Sequence, residues 1–230
     1  MRSCSKQPLE NDRTPIGICK SGVNFPEHFS CLHLEKQTYE YFRNLGYRFH
    51  GGEHGWPLLY TMQHRGVKTR LLDWAESFAV ALFFALDGSP VMQEPCVWML
   101  VPEELNKESV GRCEVLAPQT MSYPCDYIDL DAPPCVPTKA IYPIKNTARI
   151  AAQQGVFTVQ GNSLVPLPQE FGGALVTKGF LRQLLIPLEA LPDAGRFLRA
   201  NGINHFSLFP DLDGLARYVD RTLIKDAWRH

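Results

Sequence analysis

The densest group of chemically able side chains is the run Gln63-His64-Arg65-Gly66-Val67-Lys68-Thr69-Arg70-Leu71-Leu72-Asp73-Trp74. Seven polar or titratable residues stand there, just ahead of the longest apolar stretch, Phe78 to Leu86. His64 is of a type that exchanges protons near neutral pH. Arg70 offers a planar fork suited to a carboxylate or a phosphate. Local pattern puts Arg70 and Asp73 near a helix N-terminus and partly out of water, where charges persist only if paired or hydrogen-bonded. Two readings follow. In one, Arg70 and Asp73 form a structural pair and Asp73 caps the helix. In the other, free N–H groups of the helix start and a fixed guanidinium form a polar pocket for a phosphate or other anion. Asp73 acting as a cap weighs against the second reading, because it occupies those donors.

Two further groups are weaker. In Arg149-Ile150-Ala151-Ala152-Gln153-Gln154-Gly155-Val156-Phe157, helical spacing puts Arg149 and Gln153 on one face, and Gly155 lets the chain turn into a strand. On spacing alone this is an ordinary helix exit. Phe209-Pro210-Asp211-Leu212-Asp213-Gly214-Leu215 looks like the start of a calcium loop, but no bidentate Glu stands where one is needed, so Asp211 is expected to be an N-cap. His50 and His54 flank a glycine-rich stretch that reads as a loop rather than as one helical face. No metal site is expected.

The elements that would position these residues follow from periodicity. Leu34, Tyr41, Phe42 and Leu45 recur at helical spacing between Ser30 and Gly46, and Pro57 opens a short helix over Leu58–His64 that Gly66 closes. Val67–Leu72 reads as a strand leading into a core helix from Trp74 to Leu86, with Asp73 and Glu76 as a capping box. Cys96–Val101, Cys113–Ala117, Ile141–Ile144, Val156–Val159 and Phe180–Ile186 read as strands, and Asn146–Gln154 and Pro192–Ala200 as helices. A last helix over Leu212–Trp228 carries the apolar stripe Leu212, Leu215, Ala216, Val219, Leu223. Short strands and helices interleaved without a strict βαβ repeat predict a single α+β domain. Residues 1–28 form a poorly defined N-terminal segment, and 29–230 the domain proper. Within it, residues 118–140 hold five prolines with Tyr123 and Tyr127, a pattern expected of an ordered loop over a site.

Composition excludes several classes. The chain of 230 residues is 45% hydrophobic and 20% charged, as a globular protein is, and its formal net charge of −1 leaves no electrostatic footprint for tight nonspecific nucleic-acid binding. The charge is also even along the chain, with 12 basic against 14 acidic residues up to position 115 and 11 against 10 beyond it. The seven cysteines include no CxxC pair and are expected to be mostly buried free thiols of a reducing cytosol. Charge rather than an apolar stretch follows Met1, so no secretory signal is expected, and the longest apolar run is too short to cross a membrane. A cytoplasmic protein without membrane contact is the expectation.

Gln63-His64-x-Gly66-x-x-Thr69-Arg70-Leu71-Leu72-Asp73-Trp74, followed by Ala81-Leu82-Phe83-Phe84-Ala85, resembles the central signature of the FRG-domain family. Arg149-x-x-x-Gln153-Gln154-Gly155-Val156-Phe157-Thr158 and Phe209–Leu215 resemble its second and third blocks in the same order, so the likeness spans roughly residues 34–220. That family is mostly bacterial and largely without an established activity. It is named for a Phe/Tyr-Arg-Gly motif near its N-terminus. No such tripeptide occurs here; Phe42-Arg43-Asn44 comes closest but lies inside a predicted helix. The resemblance therefore implies an N-terminal element that is either missing or replaced.

The layout is analogous, at a distance, to that of ADP-ribosyltransferase-like proteins, which bring an early Arg or His, a hydroxyl-bearing strand and a later polar residue together on NAD. What this implies is an NAD- or nucleotide-binding domain, in the setting of a bacterial toxin or phage-defence effector, with NAD as substrate and a protein or nucleic acid as acceptor. His64, Asp73 and Gln154 are then the catalytic candidates. Thr69, Arg70 and Arg149 are the candidates for holding the nucleotide, the two arginines as an anion clamp. The alternative is a non-catalytic module that binds a nucleotide or anion in the same pocket. A nuclease would want a carboxylate cluster with metal spacing, which the sequence does not offer.

Overall fold

A computed structural model describes residues 2–4, 25–87, 94–128, 136–142, 155–163 and 165–224. In chain order the described elements are β1 (Arg2–Cys4), α1 (Phe25–Leu45), α2 (Tyr47–His50), α3 (Gly55–His64), β2 (Leu71–Ala75), α4 (Phe78–Asp87), β3 (Cys96–Leu100), α5 (Pro102–Val110), β4 (Lys139–Ile141), β5 (Gly155–Val159), α6 (Ala174–Thr177), β6 (Leu181–Leu185), α7 (Leu191–Ala200), α8 (His205–Leu208) and α9 (Leu212–Val219). Short 3-10 and π-helical turns connect several of them, one at Pro118–Thr120 and another at Pro124–Ile128. The fold is α+β.

The strands form two antiparallel sheets of three. In one, β5 lies between β2 and β4; in the other, β3 lies between β1 and β6. The first sheet positions the candidate site. Its strands alternate as their sequences dictate: Leu71, Phe157, Val159 and Ile141 face a cluster with Tyr60, Trp56 and Tyr39 of α3 and α1. Leu72, Trp74 and Ala140 face the other way, onto Leu105, Leu175 and Leu181. Two-residue periodicity thus gives this sheet an apolar layer on each face. The long apolar run becomes α4, with Val80, Leu82 and Phe83 packed on Ile186, Leu198 and Leu208, and Ala81 and Ala85 packed on Val97. It is a core helix, as its sequence predicts.

Its start differs from the prediction. Asp73 and Trp74 do not open a helix; they lie in β2, opposite Phe157 and Val156 of β5. The Trp74 indole N–H donates to Thr158 Oγ1 at 3.0 Å, and the first helical bond of the next element runs from Ala81 N–H to the Ser77 carbonyl. Strand pairing therefore overrides the local capping signal of Asp73 and Glu76. The strand expected over Cys113–Ala117 shrinks to one parallel bridge, Leu116 to Ile141. The reason is Asn106. Its carboxamide accepts from Ala140 N–H at 2.7 Å and donates to the Ala140 carbonyl at 2.8 Å, so a side chain occupies the ladder position that a strand residue would fill.

The Asn146–Gln154 helix, the segment 129–135 and the end of the last helix fall outside the described residues. Within α9 the predicted stripe exists, but Leu212 is 82% exposed and Leu215 and Val219 also face outward. Asp211 caps this helix as expected, accepting from Gly214 N–H at 2.8 Å. The cysteine expectation is corrected too. Cys31 is disulfide-bonded, and of the described cysteines outside a disulfide Cys96 is buried while Cys113 and Cys125 are exposed. No helix among the described residues is long and apolar enough to cross a membrane.

Candidate functional site

The signature segment folds as helix, turn and strand. After His64 the chain reverses: Val67 N–H bonds the Met62 carbonyl at 3.0 Å and Gly66 N–H the Gln63 carbonyl at 3.1 Å. Gly66 sits at φ +82°, a left-handed conformation that a side chain would strain. This reversal brings Thr69 back beside Gln63. The Thr69 hydroxyl donates to Gln63 Oε1 at 2.7 Å and accepts Leu71 N–H at 3.1 Å, while the Gln63 amide donates to Asp73 Oδ2 at 2.7 Å. Gln63 thereby ties the start of β2 to its middle. Thr69 is buried, Gln63 and His64 are half-buried, and Asp73 is exposed on a strand at the edge of its sheet. The result is a carboxylate held in a fixed place at the surface, with the His64 imidazole on the helix end that supplies its partner.

Arg70 points into the core instead. It is 1% exposed and pairs not with Asp73, as the structural reading expected, but with Glu35 of α1, itself 4% exposed. Arg70 Nε donates to Glu35 Oε1 at 2.6 Å, and its NH2 group donates to Glu35 Oε2. Arg70 Nη1 donates to the Gln160 carbonyl and to Asn162 Oδ1, each at 3.0 Å. The guanidinium lies 4.5 Å from the centre of the Tyr127 ring, and the Tyr123 hydroxyl donates to Glu35 Oε1 at 2.8 Å. Burial opposes the charge on Arg70, but the Glu35 carboxylate outweighs it and holds the guanidinium protonated above its ordinary range. Burial raises the Tyr123 phenol well above its usual value, with the Glu35 charge adding to the shift. The Tyr127 phenol is raised by burial as well, and its hydroxyl has no hydrogen-bond partner among the described residues.

The turn after β5 joins this network to a second buried carboxyl. Glu170 Oε1 accepts from the Thr138 hydroxyl at 2.7 Å and the Ser163 hydroxyl at 3.0 Å, and Thr138 Oγ1 accepts Gly161 N–H at 2.8 Å. A Cβ on Gly161 would lie 2.2 Å from the Val136 carbonyl oxygen, so only glycine lets these segments meet. Burial pushes the Glu170 carboxyl up from its ordinary range, and the two hydroxyls offset part of that. The next residue, Phe171, has φ +53° and is the only described non-glycine residue with positive φ.

Of the residues singled out from sequence, His64, Thr69 and Asp73 share the α3–β2 unit, Arg70 lies on its buried side, and Arg149 and Gln154 fall outside the described residues. Gly155, which follows Gln154, pairs with Ala75, two positions beyond Asp73. Sequence reasoning missed Glu35, Tyr123, Tyr127, Asn162 and Glu170. A signal for Glu35 existed: a buried arginine demands a carboxylate, and Glu35 precedes Tyr39 by one helical turn on the face of α1 that turns inward. Among the described residues no group of His, Cys, Asp and Glu is arranged to hold a metal ion.

These features define a mixed α+β protein whose signature segment uses one polar face to hold a surface carboxylate and the other to lock the core. Residues 20–93 match the model of the FRG domain, and the match takes in both Glu35 and Arg70. No curated protein and no solved structure matches the chain.

Proposed function

We propose that the α3–β2 face of this FRG-domain protein binds a nucleotide, in the form of an ADP-ribosyltransferase-like site for NAD. The observation that supports this reading is the Thr69–Gln63–Asp73 chain of hydrogen bonds, which fixes an exposed carboxylate against the end of the helix that carries His64. Breaking the bond between ribose C1′ and the nicotinamide nitrogen sends the electron pair out with nicotinamide and leaves an oxocarbenium-like carbon. Asp73 stabilises that charge, with Gln154 orienting the ribose and Arg149 holding the pyrophosphate. An acceptor oxygen or nitrogen forms the new bond to C1′, and its proton passes to the His64 imidazole. Thr69 places Gln63, and Arg70 serves from the core side.

The test is to incubate the full chain with NAD and follow free nicotinamide and ADP-ribose attached to protein or nucleic acid. Turnover that falls at least a hundredfold in Asp73→Asn is expected; no nicotinamide from the wild-type protein overturns the transferase reading.

A second reading is a module that binds a nucleotide without turning it over. It predicts stabilisation by nucleotide, about 2.7 kcal/mol at a hundredfold excess over Kd, with no product formed. A thermal-shift series of nucleotides followed by product analysis separates the two.

A further inference from the structure

We propose that the Glu35–Arg70 pair is a positioning device for the nucleotide site: it sets where β2 begins, and so where Thr69, Gln63 and Asp73 stand, without either residue touching ligand. The inference rests on the nucleotide-binding reading and adds the residues that hold its geometry. Three separate parts of the chain converge on Arg70. Glu35 reaches it from α1, the Gln160 carbonyl and Asn162 from the turn after β5, and the Tyr127 ring from the proline-rich segment. Its own carbonyl accepts Gln160 N–H at 3.1 Å, which extends the β2–β5 ladder by one residue. Arg70 is therefore fixed by both side chain and backbone.

The neighbouring residue carries that position outward. Thr69 donates to Gln63 and Gln63 donates to Asp73, so a displacement at Arg70 reaches the exposed carboxylate through two hydrogen bonds. Stability alone does not call for such a pair, because well-packed apolar side chains of similar volume often serve a buried position as well or better. Apolar packing lacks the fixed direction and distance of a two-pronged arginine–carboxylate contact. Tyr123 donates to the same Glu35 oxygen as Arg70 Nε and so adds a third bond that fixes the carboxylate.

The test uses the full chain, NAD as probe, and the double variant Glu35→Met with Arg70→Leu. The variant is expected to keep a Tm close to that of the wild type. It should bind NAD at least tenfold more weakly and exchange the amide hydrogens of residues 69–73 at least tenfold faster, with exchange in α4 unchanged. Tyr123→Phe keeps the ring and removes one bond to Glu35, so roughly threefold changes in the same two readouts are expected; it decides the matter if the double variant does not fold. Wild-type affinity together with wild-type exchange at 69–73 overturns the inference and leaves the pair a structural one. Failure of the wild-type protein to bind NAD overturns the nucleotide-binding reading instead, and exchange at 69–73, which needs no ligand, still decides the positioning role.

Discussion

The β2–β5–β4 sheet and the α4 layer both fill an interior, by opposite means. Around the sheet the buried residues include Glu35, Thr69, Arg70, Asn106, Asn162 and Glu170, each holding a named partner at hydrogen-bond distance. Around α4 the interior is Val80, Leu82, Phe83, Ile186, Leu198 and Leu208. Oriented bonds fix positions and are costly when half-broken; apolar packing tolerates a change of shape if volume is kept. The lesson is where function belongs. A site that must hold atoms in place is better built on the first region than on the second.

The sharpest way to break the comparison is to remove one partner of the core pair. Glu35→Leu leaves the Arg70 guanidinium buried and uncompensated, and about 3–5 kcal/mol of stability should be lost, a large part of what a domain has. Urea denaturation measures it; a loss under about 1 kcal/mol would show that the pair is not the keystone of the sheet. Arg70→Lys keeps the charge but loses the planar fork that serves Glu35, Gln160 and Asn162 together. A loss of about 2–3 kcal/mol is expected, since hydrogen bonds to charged groups are worth about 1.5–3 kcal/mol each and a lysine restores only part of the set.

The contrast between the two regions also decided what was legible in the sequence. The apolar period alone placed α4, β3, β5 and α7 close to where they lie, because burial of an apolar face is written in local spacing. The polar region was read only in part. Thr69, Asp73 and His64 can be singled out together because they sit in one short run, whereas Glu35, Asn162 and Tyr123 come from distant segments and no spacing rule links them. Asp73 reads as a helix cap because its strand partner, Phe157, lies more than eighty positions away. The side chain of Asn106 completing a strand ladder leaves no periodic trace at all.

Glu170 offers a test by pH within the polar region. Burial raises its folded-state pKa, so it contributes stability below the ordinary glutamate value, about 4.3, and that contribution is lost as pH rises through the raised value. Thermal melts should therefore show a decline between the ordinary and the raised value, levelling off above it, in the wild-type protein that is smaller or absent in Glu170→Gln, which keeps the contacts with Thr138 and Ser163 without a charge. The matching change in the apolar region is Leu82→Met. Volume is nearly kept and no directed bond is lost, so the cost should stay below about 1.5 kcal/mol, well under that of Arg70→Lys.

The smallest effect belongs to an ion pair at the periphery, and it separates a buried pair from an exposed one. Arg221 contacts Asp87 at the end of α4, and His205 Nε2 lies 3.0 Å from the same Asp87 oxygen. Arg221 is 47% exposed on its side chain, so Arg221→Ala should change stability near neutral pH by less than about 1 kcal/mol. The imidazole makes a second measurement available. Burial lowers the His205 pKa, the Asp87 charge opposes that, and the Arg221 charge adds to the lowering. A histidine with a lowered folded-state value contributes stability above its ordinary pKa, about 6.5, and loses it as pH falls through the lowered value. Removing Arg221 takes away one cause of the lowering, so the acid-side loss should shrink: the variant falls slightly below the wild type near neutral pH, and the two converge in mild acid. Parallel melting profiles that keep a constant offset at every pH would mean that Arg221 does not act on His205. A neutral-pH loss as large as that of Glu35→Leu would mean that the two ion pairs do the same work, and the distinction between the regions would fall.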